Sequence, residues 1–485
     1  MPLSRRQVLA GLSVTLVTGC QVAPGTGKSG FNLLSADEER NLGRQTHPQI
    51  VREFGGTYDD PALAAAIAGI GQRLVAVCET PQAEFRFTLL NSPIVNAMAL
   101  PGGYIYVTRG LVGLCGNEAE LAGVIGHEIG HVLARHTAER VSQAQAGSVL
   151  SGILGLAGSV LGVPGVGEVA QMGAAAYLQS FSREQETEAD HLGLRYMARA
   201  GWHPHAMVTM LERLREQARL EAVMAGRSPD SVDRADFMAS HPRTIDRVHA
   251  AMSEALGAPA KGELGTDALL DRIEGMVYGD DASQGVVRDR SFLHPTLGFG
   301  FQVPAGFRLV NGEKAVVATH PSGAAILFDA ARNSGLDMAG YIRRVWLPKA
   351  SLANAETMDI NGMAAATATT RGRTRQGQVD VRAIAIRFDG ETIYRFTCIT
   401  PPDQTSSLGV DLRRTTYSFH RLGAEERAAI KPWRIDTHRV QRGDTVQSLS
   451  ARMAPSQWRE ETFRVINGMQ PGEALEPGRR VKLVV

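Results

Sequence analysis

The chain is 485 residues long, with 51 Lys and Arg against 50 Asp and Glu and a hydrophobic fraction of 44%. A net charge of +1 points to neither nucleic acid nor a strongly charged partner. The length predicts about three domains, with ample chain for several cores.

Residues 1–20 read as a processing signal rather than as structure. Arg5 and Arg6 form a positive start, and Val8 to Val17 is an apolar run too short to span a bilayer. Val17-Thr18-Gly19-Cys20 is similar to a lipobox, which makes Cys20 the expected lipidation site and mature N-terminus. Ser4-Arg5-Arg6-Gln7-Val8-Leu9 also resembles a twin-arginine export signal. Gln21 after the cysteine favours, by analogy, the outer membrane. The expected location is therefore the periplasmic face of a cell envelope, with a lipid anchor in the membrane. Cys78, Cys115 and Cys398 remain, an odd count that leaves at least one thiol without an intramolecular bridge. The sequence leaves a Cys78–Cys115 bridge open.

Residues 21–34 are rich in Gly, Ser and Pro and read as a tether. Ser35-Ala36-Asp37-Glu38 is a helix start, and helices are expected at 35–54 and 61–79. Phe85–Leu90 and Tyr104–Thr108 alternate as strands, and Pro101-Gly102-Gly103 is a turn, which predicts an antiparallel hairpin.

The most chemical stretch is Gly126-His127-Glu128-Ile129-Gly130-His131, on a helix expected over 117–140. Histidines four apart leave one helix face about one turn apart, so His127 and His131 can share one Zn²⁺. Glu128 between them is placed as general base for a zinc-activated water. His136 is five residues beyond His131, about 140° around a continuous helix, and is read as structural or exposed. A third ligand is expected in Ser182-Arg183-Glu184-Gln185-Glu186-Thr187-Glu188-Ala189-Asp190. Glu184, Glu186 and Glu188 compete. Glu186 is the choice because Asp190 then falls one turn along the same face, where it can accept the free ring N–H of a ligand histidine. Glu184 and Glu188 are read as solvated. A helix is expected over 168–200 to carry these residues. Ala146–Gly167 before it is uncharged and small, and reads as a helical hairpin near the cleft; a membrane-dipping or membrane-spanning element is the other reading. Gly201-Trp202-His203-Pro204-His205 stops the helix, and another is expected at 204–224.

Together, HEIGH, SREQETEAD and the upstream NAMALPGGYIYVTRGL resemble the gluzincin metallopeptidases of the HtpX, CAAX prenyl protease and BepA type, metallopeptidase family forty-eight. The resemblance covers about residues 31–250. It implies that the glutamate of E-x-x-x-D, here Glu186, is the third zinc ligand. It implies that Asn96, Ala97 and Met98 lie on a strand bordering the active site, where a peptide substrate can add by backbone hydrogen bonds. In Ser240-His241-Pro242-Arg243-Thr244-Ile245-Asp246-Arg247 it implies that His241 lies near the zinc and that Arg247 stabilises the oxyanion.

Residues 255–289 read as a linker with a helix at 266–276. The chain then turns β-rich, with strands expected at 294–301, 314–319, 324–329, 364–370, 378–388 and 391–399 and helices at 337–349 and 405–418. This predicts an α+β domain over 290–430, of a binding or regulatory kind. The end, 436–485, runs strand, helix, helix, strand. Its Val440-Gln441-Arg442-Gly443-Asp444-Thr445 opening and Asn467-Gly468 resemble the LysM module, which implies a peptidoglycan ligand. The expected fold class is α+β and multidomain. A mainly helical zinc metallopeptidase domain (35–254) with a small antiparallel hairpin or sheet comes first. The α+β domain and a βααβ LysM-like module follow. The expected function is a zinc endopeptidase, one Zn²⁺ per chain, hydrolysing misfolded or unassembled envelope proteins. The alternatives are a latent protease acting as a chaperone or assembly factor, and a peptidoglycan-associated binding protein.

Overall fold

The computed structural model describes residues 20–27, 29–31, 34–140, 142, 181–234, 247, 253, 261–312, 315–374 and 377–485. The signal segment before Cys20, the 146–167 hairpin and His241 lie outside the described residues.

Polar residues at the predicted starts set the helices of the first half. Ser35 and Glu38 form a capping box on α1 (Ala36–Glu53), and Asp60 caps α2 (Pro61–Val75), with Pro61 at its first turn. Three strands follow: β1 (Arg86–Leu90), β2 (Ala97–Leu100) and β3 (Tyr104–Thr108). The expected hairpin of the first and last of these is corrected here. β1 runs parallel to β3, and the antiparallel partner across Pro101-Gly102-Gly103 is β2. The expected turn joins β2 to β3, and β2 is the strand on which the family resemblance puts Ala97 and Met98. The sheet is mixed, in the order β1-β3-β2, and β2 is an edge.

Next come α3 (Arg109–Leu114), α4 (Glu118–Leu133), α5 (Arg183–Arg199) and α6 (His205–Met224). Two expected boundaries move. α4 ends at Leu133 rather than 140, because Arg135 takes a left-handed conformation (φ 61°) and turns the chain. Such a residue costs roughly 1–2 kcal/mol. Here its guanidinium is held by Glu39 and by the carbonyl of Leu34. α5 begins at Arg183 rather than 168, because Ser182 and Gln185 cap it reciprocally.

α4 and α5 cross where both carry glycine. A Cβ on Gly126 would lie 3.2 Å from the Gly193 Cα, and one on Gly193 would lie 2.9 Å from the His127 nitrogen. This close approach brings the α5 carboxylates to the α4 histidines. The surrounding core includes Leu74, Ile105, Ile125, Ile129, Met197 and Leu211. Leu269, Leu270, Ile273 and Met276, from the stretch expected to be a linker, are buried in the same core. Their spacing is that of an apolar helix face, and Thr266–Ile273 is indeed a helix.

The β-rich region holds a seven-stranded antiparallel sheet. Its strand order is Arg308–Asn311, Val316–Thr319, Ala325–Arg332, Thr392–Thr400, Gly377–Arg387, Met363–Thr374, Ala353–Ile360. One face packs on aromatics including Phe299, Phe301 and Phe419, the other on Tyr341, Ile342 and Trp346. At the end of the chain Trp433–Arg439 pairs antiparallel with Arg480–Val484, and helices Val446–Ser450 and Arg459–Ile466 lie between them in sequence. Cys78, Cys115 and Cys398 are free, buried thiols, so the Cys78–Cys115 bridge is not formed. Among the described residues no helix is long and apolar enough to cross a membrane.

Candidate metal centre

The helical spacing of His127 and His131 places both rings on the buried side of α4, with their Nε2 atoms 3.0 Å apart. α5 adds Glu186, 0% exposed, whose Oε1 is 3.5 Å from His131 Nε2 and whose Oε2 is 3.6 Å from His127 Nε2. Among the described residues these three are the one group whose donor atoms could hold a metal ion. Donors about 2.0–2.2 Å from a tetrahedral zinc stand about 3.3 Å from one another. The observed triangle fits that size, and two imidazoles with one carboxylate are the donor chemistry of a catalytic zinc.

Asp190 Oδ1 is 2.8 Å from His127 Nδ1. Arg247 is buried beside it and clamps it in a fork, with Nε 2.7 Å from Oδ2 and Nη2 2.7 Å from Oδ1. Its third nitrogen, Nη1, lies 2.5 Å from Glu186 Oε2. All three guanidinium nitrogens thus face carboxylates, and the side chain also lines the cavity beside His127 and Glu128. Burial opposes ionisation of Asp190, but Arg247 and His127 outweigh it and hold the carboxyl below its usual range. Burial likewise opposes protonation of His127, and Asp190 and Glu186 more than offset it, so its proton affinity is raised. A metal bound at Nε2 therefore competes with a proton.

Glu128 is 2% exposed and lines the same cavity as His127. That cavity is also lined by Asn96, Ala97, Asp190 and Arg247 and has an apolar wall that includes Met210 and Leu214. Asn96 and Ala97 reach it from the start of edge strand β2. Met98 does not: it is buried with Ile50, Leu100 and Tyr106 on the other side of the sheet, because alternate strand residues face opposite ways.

The chain reversal at Arg135 decides two readings, placing His136 on the structural rather than the exposed side and giving Glu188 a partner. His136 is not displaced around a continuous helix. It is 3% exposed, and its Nδ1 lies 2.9 Å from His131 Nδ1. Glu188 is not merely solvated, since its Oε2 lies 3.0 Å from His136 Nε2. Phe181 stacks on the His131 ring, centroids 3.9 Å apart. The histidine at 136 was visible in the sequence. The turn that aims it was not, because Arg135 is neither Gly nor Asn.

Comparison with known proteins agrees with this geometry. Residues 61–255 match the model of Peptidase family M48 and residues 438–484 that of the LysM domain. The beta-barrel assembly-enhancing protease of Escherichia coli (strain K12) is 33% identical over 237 residues, 44% of this chain and 48% of that protein. The mitochondrial metalloendopeptidase OMA1 of Schizosaccharomyces pombe is 30% identical over 211 residues, 43% of this chain and 61% of that protein. The OMA1 of Arabidopsis thaliana is 40% identical over 126 residues, 26% of this chain and 25% of that protein. The chain thus spans about half the length of the Escherichia coli relative. Its first half carries a domain of peptidase family M48, and its C-terminus carries a LysM domain.

Proposed function

We propose that the chain is a zinc-dependent endopeptidase of the bacterial cell envelope that hydrolyses misfolded or unassembled envelope proteins. The observation that carries this reading is the buried His127–His131–Glu186 triangle with Glu128 on the adjoining cavity. His127 and His131 through Nε2, and Glu186 through a carboxylate oxygen, would hold the metal. Bound there, zinc supplies a Lewis acid for the scissile carbonyl and for water. Glu128 takes the proton of the attacking water on its carboxylate and delivers it to the leaving amine nitrogen. Asp190 accepts from His127 Nδ1–H and so leaves Nε2 with its lone pair toward the metal. Arg247 holds the Asp190 carboxyl below its usual range and pairs with Glu186 in the same buried site. The outer edge of β2 at Ala97 receives the substrate backbone, which gives affinity with little dependence on sequence, while Asn96, whose own N–H and C=O are bonded to Thr108, lines the cavity. The family resemblance gives His241 a role at the zinc, in the open position or in binding the substrate. Cys20 anchors the protein by lipid, with the outer membrane as its place, and the LysM domain takes peptidoglycan.

The test is casein degradation by the zinc-loaded protein lacking residues 1–20, beside its Glu128→Gln variant. Cleavage by the first and at least a hundredfold slower cleavage by the second is expected. Equal cleavage by both would remove Glu128 from the chemistry. Zinc bound with no cleavage by either would leave the latent, assembly-factor reading in its place.

A further inference from the structure

Two different routes lead from the site histidines to a carboxylate. His127 reaches Asp190 directly. His131 reaches Glu188 through a second imidazole, with steps of 2.9 Å from His131 Nδ1 to His136 Nδ1 and 3.0 Å from His136 Nε2 to Glu188 Oε2. We infer that His136 and Glu188 are positioning residues for the metal, a relay that fixes the tautomer and orientation of His131 and brings the Glu188 charge to bear on it. The inference rests on the reading of His127, His131 and Glu186 as the zinc ligands.

The geometry permits one consistent placement of protons. His131 Nε2 faces His127 Nε2 and Glu186 Oε1, so as a metal ligand it carries the lone pair and Nδ1 carries the hydrogen. Nδ1–H of His131 then donates to Nδ1 of His136. A neutral His136 that accepts at Nδ1 holds its hydrogen on Nε2, where it donates to Glu188. Every nitrogen on this path is used, and the path ends on a carboxylate. His131 and His136 are 0% and 3% exposed, so little solvent competes for these bonds. The Phe181 ring against His131 holds its plane.

The sequence logic is compact. One short stretch of α5 supplies the third ligand, Glu186, and the terminal carboxylate of each route, Glu188 and Asp190. The left-handed Arg135 turns the chain so that His136 stands between His131 and Glu188. Outer partners of this kind typically change metal affinity 10–100-fold when removed.

The experiment is zinc affinity by competition with a chromophoric chelator, together with the visible absorption of the cobalt(II)-substituted full chain. His136→Leu is expected to weaken zinc binding about 10–100-fold and to shift the cobalt bands. His136→Asn, which keeps an acceptor and a donor on a short side chain, should recover part of the loss. Glu188→Ala alters a partly exposed residue and spares the fold, with an expected weakening of roughly tenfold. Circular dichroism checks each variant, and if His136→Leu does not fold, His136→Asn and Glu188→Ala decide. Wild-type affinity and an unshifted cobalt spectrum in Glu188→Ala and in the folded His136 variants would overturn the relay alone. A wild-type chain that takes up no zinc would overturn the metal reading as well.

Discussion

Arg247 and Lys482 are both buried cations, 7% and 1% exposed, and they are stabilised in opposite ways. Arg247 sits among carboxylates. Burial works against its charge, but Asp190 and then Glu186 outweigh it, and its proton affinity rises above the ordinary arginine value. Lys482 sits among dipoles. Its Nζ donates to the carbonyls of Gly113, Leu114 and Cys115 at 2.7, 3.0 and 2.8 Å, at the C-terminal end of α3. Burial first, and the Arg213 guanidinium second, push it down to about 7. Full charges hold a buried cation in its charged form; three carbonyls satisfy its donors without matching the solvation it lost. The first arrangement builds a metal site, and the second joins the LysM domain to the peptidase domain.

Removing the cation should therefore cost most at Arg247. Arg247→Met strands two buried carboxylates, and a loss of about 3–5 kcal/mol is expected for the metal-free protein by urea denaturation. Saturating zinc should return part of that loss, because the ion replaces the missing positive charge beside Glu186. A loss below about 1 kcal/mol would show that the carboxylates take up protons and need no partner.

Lys482 predicts a smaller effect with a pH signature. Its folded value is depressed to about 7 from 10.5, so between these values the unfolded chain holds more protons. Stability then rises with pH across that window, with a slope of up to about 1.4 kcal/mol per unit. The penalty is fully present below about pH 7 and is relieved toward pH 10.5. In Lys482→Met this contribution to the slope should vanish, as read from thermal unfolding at a series of pH values. A wild-type slope retained in the variant would mean that another group titrates.

The same contrast explains what could be read from the sequence. His127 and His131 were legible because helix geometry decides which residues share a face, and among three competing glutamates the spacing to Asp190 together with the family resemblance pointed to Glu186. The C-terminal strand was legible too, but Lys482 was not. In Arg480-Val481-Lys482-Leu483-Val484 the alternation puts Val481 and Leu483 inside and Lys482 in water. The structure buries both faces, because the second one packs on the peptidase domain. Ala353–Ile360 was missed for the opposite reason: it is an edge strand, exposed along most of its length, with no apolar face to announce it. β1 and β3 were recognised as strands while their direction was not, since direction depends on what lies between them. His136 and Glu188 hang on the backbone angle of Arg135, which a long-range pairing with Glu39 stabilises and local sequence does not encode.

The smallest effect separates charge from capping. α5 carries Glu186, Glu188 and Asp190, and it is started by Ser182, whose Oγ accepts from the Gln185 N–H at 3.2 Å while its own N–H donates to Gln185 Oε1 at 3.1 Å. Ser182→Ala should cost about 1 kcal/mol, the usual value for a lost N-cap. The three carboxylates stay fixed by Arg247, His127 and His136 on other parts of the chain, so zinc affinity should change less than about threefold, well inside the 10–100-fold range of an outer partner. A tenfold loss of affinity with that small loss of stability would mean that the cap, rather than the buried charges, sets the position of the third ligand. The comparison of Arg247 with Lys482 would then describe stability and not the metal site.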